Sequence, residues 1–175
     1  MSETALQRLR FFAGRVLTAD DLKLEQDYFL KKLQRHNRSL HGFGIVSGLE
    51  VTVSSKQIVI REGLALDCEG NELLIESTQT LGLPATLESC TTAYVSIRYA
   101  EHGCRPDSTV AAGEPATIQE GFETVFAQEN YNRGHRHLRA RWLACGNRHP
   151  LTLVKLRDRG HGWRVDRAYR APHIK

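Results

Sequence analysis

Leu17-Thr-Ala-Asp-Asp-Leu-Lys-Leu-Glu-Gln-Asp-Tyr-Phe-Leu-Lys-Lys-Leu-Gln-Arg-His-Asn-Arg-Ser-Leu-His-Gly42 is the one long helix legible in the chain, and everything after it changes period. Thr18 is placed as N-cap, because its hydroxyl reaches the backbone N–H of Asp21, and Asp20 and Asp21 suit the positive end of the helix dipole. Gly42 closes the helix as a left-handed residue, with Arg38 and His41 in the last turn. Leu22, Phe29, Leu33, His36 and Leu40 follow one another at spacings of seven, four, three and four, which puts them on one face. Leu24, Tyr28 and Leu30 flank that stripe. Such a face packs on a sheet or on copies of itself, and both remain open.

Upstream, Phe11-Phe-Ala-Gly14 reads as a brief strand and turn feeding the cap. Downstream, Gly42, Gly44 and Gly48 permit positive φ or close backbone approach, which predicts a bend handing the helix over to a sheet. Leu49, Val51 and Val53 alternate with polar residues, Ser54-Ser-Lys56 turns, and Ile58-Val-Ile60 completes a first hairpin. Gly63 to Ile75 repeats the scheme about a turn at Cys68-Glu-Gly-Asn71, and Thr78 to Leu87 is expected to be a connection. Ala93 to Ala100 is the clearest strand, central in its sheet, with Val95, Ile97 and Tyr99 on one face and Tyr94, Ser96 and Arg98 on the other. Glu101 to Pro115 reads as a loop, Gln119 to Gln128 as a strand, and Asn130 to His137 as a second polar loop. Trp142-Leu-Ala, Leu151 to Leu156 and Trp163 to Asp166 supply late strands, the last closing a hairpin across Arg157 to Gly162.

The expected fold class is therefore α+β: one long N-terminal helix followed by an antiparallel, β-rich body, a sandwich or a meander. With 175 residues, 41% hydrophobic and 25% charged, the chain has an ordinary globular composition and is expected to form a single domain. Within it, residues 1–42 form the lead and helix, 43–128 the β-rich body and 129–175 a basic β region. No run reaches the length of a membrane span, and the first residues carry no apolar signal-peptide core, so neither membrane insertion nor secretory export is expected. Cys68, Cys90, Cys104 and Cys145 form no CxxC pair, which favours reduced thiols in the cytoplasm, though an even count leaves disulfides open.

Charge is divided unevenly. From Asn132 onward twelve Lys or Arg stand against two acids, which leaves twelve bases and eighteen acids before it, or near +10 against near −6. That split suits docking on an acidic partner or on an acidic face of another copy. Arg133, Arg136, Arg139 and Arg141, mixed with His135, His137 and Trp142, also have the composition of a phosphate-tracking surface. A solvated loop whose arginines pair with acids from the earlier chain is the favoured reading, and nucleic acid is not the expected partner.

Signs of chemistry are sparse. His36 and His41 are five apart, where ligands on one helical face want three or four, and Cys145-Gly-Asn-Arg-His149 would need two further zinc ligands from elsewhere. No GxSxG elbow is present, and the glycines at 42, 44 and 48 follow a helix and precede a strand, the reverse of a dinucleotide loop. No catalytic residue, cofactor or metal is expected, with a metal-dependent enzyme as the remote alternative. Arg35, His36, Asn37, Arg38 and His41 are denser than a helix end needs for solubility, and some are expected to be buried hydrogen-bonding anchors against the Gly42 to Gly48 bend.

The segments Phe11 to Tyr28, Arg35 to Val51 and Gly63 to Gly70, with Ile97-Arg-Tyr-Ala-Glu101 and Gln119-Glu-Gly-Phe-Glu123, resemble a family of small proteins encoded beside contractile, phage-tail-like injection systems in bacteria. The layout is also similar to phage tail and fibre modules. The resemblance covers roughly residues 8 to 128 and departs from the family in the short central loop and the basic C-terminal end. It implies a non-enzymatic structural or adaptor subunit near the baseplate, spike or fibre attachment. Implied with it are partnership with other particle subunits, homo-oligomerisation within the assembly, and cytoplasmic assembly into a phage-like particle that can be released. The rival reading is a binding module for nucleic acid or another acidic polymer, using the C-terminal third.

Overall fold

The computed structural model describes residues 5–54, 57–84, 91–106, 115–133, 149–158 and 160–174, and the side chains of 104–106 and 115–116 lie outside that description. The fold is α+β and mostly β, with one N-terminal helix and antiparallel sheets. Helix α1 spans Ala19–His36. Thr18 caps it with a reciprocal box: its Oγ1 accepts from the Asp21 amide at 3.2 Å, and its own amide donates to Asp21 Oδ2 at 3.1 Å. The Thr18 amide and hydroxyl, with Arg15 alongside at 2.7 Å, hold the Asp21 carboxyl below the usual carboxylate range. Thr18→Ala should cost about 1 kcal/mol, read as a lower urea midpoint. The box is lost progressively as acid protonates Asp21, because a carboxyl with a depressed pKa withdraws its support as pH falls through that value.

The helix does not run on as α to Gly42. Asn37–His41 winds as a π-turn, closed by the Gly42 amide donating to the Asn37 carbonyl at 3.0 Å. Gly42 has the expected positive φ of 84°, but its ψ of −147° takes it out of the left-handed helical region.

Ten strands follow among the described residues: β1 Gly44–Gly48, β2 Val51–Val53, β3 Gln57–Ile60, β4 Gly63–Leu66, β5 Glu72–Ile75, β6 Gln79–Gly82, β7 Thr92–Pro106, β8 Pro115–Ala127, β9 Leu151–Asp158 and β10 Trp163–Val165. They form three antiparallel sheets in the orders β1-β4-β5, β2-β3-β6 and β10-β9-β7-β8. The hairpins expected over residues 51–60, 63–75 and 157–165 are present. Strand β7 lies between β8 and β9, as its composition predicts. Its two faces are both covered at the start, where Val95, Ser96 and Ile97 are all fully buried.

Three segments differ from the sequence reading. The glycine bend is itself strand β1, kinked where its pairing with β4 shifts between Ile45 and Ser47. The expected connection after Thr78 contains β6, which pairs with β3 from Gln79↔Ile60 to Gly82↔Gln57. It escapes sequence reading because Leu81 is the only large apolar residue in Gln-Thr-Leu-Gly. The loop expected from Glu101 is strand as far as Pro106, paired with β8 out to Pro106↔Pro115. Glu101, His102 and Gly103 are exposed, so this end of the ribbon projects beyond the core and needs no apolar face. The strand expected at Trp142 lies outside the described residues, and Phe11-Phe12 precedes a turn without forming a strand.

One core joins the three sheets. Ile58 and Ile60 from β3, Leu73 and Ile75 from β5, Val95 and Ile97 from β7, and Leu151 and Leu156 from β9 are at most 1% exposed. At about 25 cal/mol per Å² of apolar area, burying side chains of this size dominates the stability of the body.

Candidate interaction surface

None of the residues of α1 is buried. Leu22, Phe29, Leu33 and Leu40 are 55%, 59%, 48% and 63% exposed, so the stripe is made by the helix but left uncovered by the described residues. Phe11, Phe12, Val16 and Leu17 in the lead are exposed as well, which extends the apolar surface from the lead into the helix. Along α1, Leu22, Gln26, Phe29, Leu33 and His36 alternate steps of four and three residues, the spacing of a coiled-coil seam. Leu40 follows in the π-turn, whose wider winding shifts it from that line. Exposed apolar residues aligned in this way are uncommon on chains that stay alone.

The base of the helix is held by polar groups. Asn37 and Arg38 are 5% and 8% exposed. Asn37 Nδ2 donates to the Gly70 carbonyl at 3.0 Å, and Arg38 Nη1 to the Glu69 carbonyl at 2.6 Å. Gln34 Nε2 donates to Asn71 Oδ1 at 2.7 Å. These three bonds run to the turn between β4 and β5. That turn is itself organised by buried Asp67, whose carboxylate accepts from the amides of Glu69 and Asn71 and from Asn71 Nδ2, each at 2.8 Å. Arg35, His36 and His41 are exposed, and the two imidazoles meet edge to face at 5.4 Å. Asn37→Ala should therefore lower the melting temperature by several degrees, since it strips a buried bond worth about 1–2 kcal/mol, whereas His41→Ala should leave it unchanged. Thermal denaturation followed by circular dichroism reads both.

Glycines mark where backbones meet, and a Cβ on Gly63 would lie 2.4 Å from the Ser47 carbonyl oxygen. A Cβ on Gly44 would lie 2.7 Å from the Pro172 carbonyl oxygen, one on Gly48 2.2 Å from that of Glu62, and one on Gly70 2.2 Å from that of Gln34. The last is the contact between helix and turn.

A second polar cluster was not legible in the sequence. Asn132 pairs with β9 as a strand would: its Nδ2 donates to the Thr152 carbonyl at 2.7 Å and its Oδ1 accepts from the Thr152 amide at 3.0 Å. Tyr169 Oη sits 2.9 Å from Asn132 Nδ2, and burial pushes that phenol's pKa up. Buried Ser96 and Thr152 share a hydroxyl contact at 3.0 Å. Asn-Arg-Gly spacing gave no hint of this, because Asn132's partners Thr152 and Tyr169 are 20 and 37 residues away.

Arg133 ends a surface turn and is exposed, while Arg136, Arg139 and Arg141 lie outside the described residues, as do His135, His137, Cys90 and Cys145. Among the described residues, no group of three or more His, Cys, Asp or Glu is arranged to hold a metal ion. No described helix is long and apolar enough to cross a membrane.

No protein-family model matches the chain, and no curated protein matches its sequence. Among solved structures, it is similar to TssK in a crystal structure, with 12% identity, a TM-score of 0.57, and coverage of 97% of this chain and 42% of that one. It is also similar to a chain of the type VI secretion system TssK-TssF-TssG baseplate subcomplex, with 10% identity, a TM-score of 0.56, and coverage of 97% and 62%. A chain in the baseplate complex from the type VI secretion system gives 10% identity, a TM-score of 0.60, and coverage of 97% and 42%. At these identities the likeness is one of fold, and this chain spans 42% to 62% of the length of the chains it matches.

Proposed function

We propose that this chain is a non-enzymatic structural or adaptor subunit of a contractile, phage-tail-like particle, working at the baseplate, spike or fibre attachment through protein–protein interfaces. The observation that carries the reading is the uncovered stripe of α1, presented on a fold shared with baseplate components across 97% of the chain. An apolar seam held out from the body by a capped, anchored helix is of no use to an isolated molecule and costs solubility. Its four-three spacing fits the same helix from other copies, with Gln26 and His36 as the polar layers that set register. Leu22, Phe29 and Leu33 are then the contact residues. Asn37 and Arg38, bonded to the turn, fix the angle at which the helix leaves the body.

The test has two parts. The gene should lie beside genes for sheath, tube and baseplate proteins, and the tagged chain should co-purify with the assembled particle. A chain that turns over a small molecule, or that comes from a genome without such machinery, refutes the proposal.

A further inference from the structure

The β9–β10 hairpin gathers positive charge around one hollow. Arg157 and Arg164 are direct cross-strand partners, and like charges so placed repel. Asp166 answers only one of them: nearly buried, it accepts from Arg157 Nε at 2.8 Å and lies 3.9 Å from Lys155 Nζ. Asp158, the other acid of the hairpin, is occupied in the turn, where its Oδ1 accepts from the amides of Gly160 and Gly162 at 2.8 and 3.1 Å. Arg164 and Arg167 have no carboxylate partner among the described residues. With Arg157, His161 and the Asp166 carboxylate that Arg157 and Lys155 already offset, they line a hollow of about 360 Å³. Arg157 is tethered through Nε, which leaves its two Nη groups without a partner among the described residues, and a pair of Nη groups can take a carboxylate by two parallel bonds.

We propose that this hollow is a carboxylate-binding site whose ligand is an acidic segment of a neighbouring subunit, an inference that rests on the assembly reading above. The cations converge on a single hollow, where a nucleic-acid surface would string them along a groove with aromatic platforms between. Trp163, the aromatic residue of this hairpin, packs against the hydrophobic core and is not offered for stacking. Repulsion between Arg157 and Arg164 is relieved when an anion enters, so the site trades stability of the empty protein for binding.

The test uses the intact chain in low salt, with fluorescein-labelled hexaglutamate as probe and hexaserine as control. Arg164→Gln should weaken hexaglutamate binding by about tenfold or more, with Arg164→Lys in between, since a point charge replaces the fork. The same Arg164→Gln variant without peptide should melt about a degree or two higher than the parent, a gain that simple loss of structure would not produce. Equal binding by parent and variant overturns the proposal. So does a labelled oligonucleotide that binds more tightly with the same dependence on Arg164, or inorganic phosphate displacing the peptide at equal concentration. Binding is read on the isolated chain: a chain absent from any particle that still binds hexaglutamate sinks the assembly reading alone. Particle incorporation with an Arg164→Gln variant that binds normally sinks the hollow alone.

Discussion

Gly70→Ala should destabilise the protein by about 3 kcal/mol, at the upper end of what a single substitution costs. Gly70 has φ of +90°, where an L side chain is strained, and its Cβ would stand 2.2 Å from the Gln34 carbonyl oxygen. Neither side can yield cheaply. The turn is locked by three bonds to the Asp67 carboxylate, and the opposing atom is helix backbone just before the point where Asn37 and Arg38 are tied down. Relief would have to come from lifting the helix off the turn, which breaks the Asn37 and Arg38 bonds as well. Urea denaturation should show a lower midpoint. Gly82→Ala serves as the control, because a Cβ there meets nothing within 4 Å, and it should be close to neutral.

The second large effect is on assembly, with folding left intact. Phe29→Lys combined with Leu33→Lys should convert a self-associated protein to single chains, while the unfolding midpoint of the single chain stays within about 0.5 kcal/mol of the parent. The reason is that both side chains are about half exposed and neither belongs to the hydrophobic core. Two added cations at adjacent contact layers would have to be desolvated face to face in the associated form, which is worth several kcal/mol against it. Light scattering after size exclusion reads the mass. A parent that already elutes as one chain at tens of micromolar would place the stripe against a different subunit.

Local features were legible in the sequence and distant partnerships were not. The Thr18–Asp21 box needs atoms only three residues apart, so hydroxyl and carboxylate can be assigned from spacing alone. Hairpins around residues 54–57 and 67–71 carry their turn chemistry with them and were equally plain. Strand β6 was missed because it is defined by its partner β3 and hardly at all by its own residues. The crowding of polar residues after Arg35 pointed to buried bonds, yet their acceptors at Glu69 and Gly70 are 31 and 33 residues on, beyond what spacing can choose. The stripe itself was readable as a face, while what covers it was not, since a helix seam has the same pattern whether its partner is a sheet or another molecule. Arg157 and Arg164 look like ordinary surface arginines until the hairpin register sets them opposite each other.

The end of the described chain also bears on how the protein is made. Ile45 donates to the Pro172 carbonyl at 2.8 Å and accepts from the Ile174 amide at 2.9 Å, in a parallel bridge alongside His173. Strand β1 thus waits during synthesis for a neighbour that emerges from the ribosome more than a hundred residues later. Until then β1 presents a bare edge, so nascent chains stalled before Pro172 should be the species that chaperones bind and that clump when synthesis outpaces them.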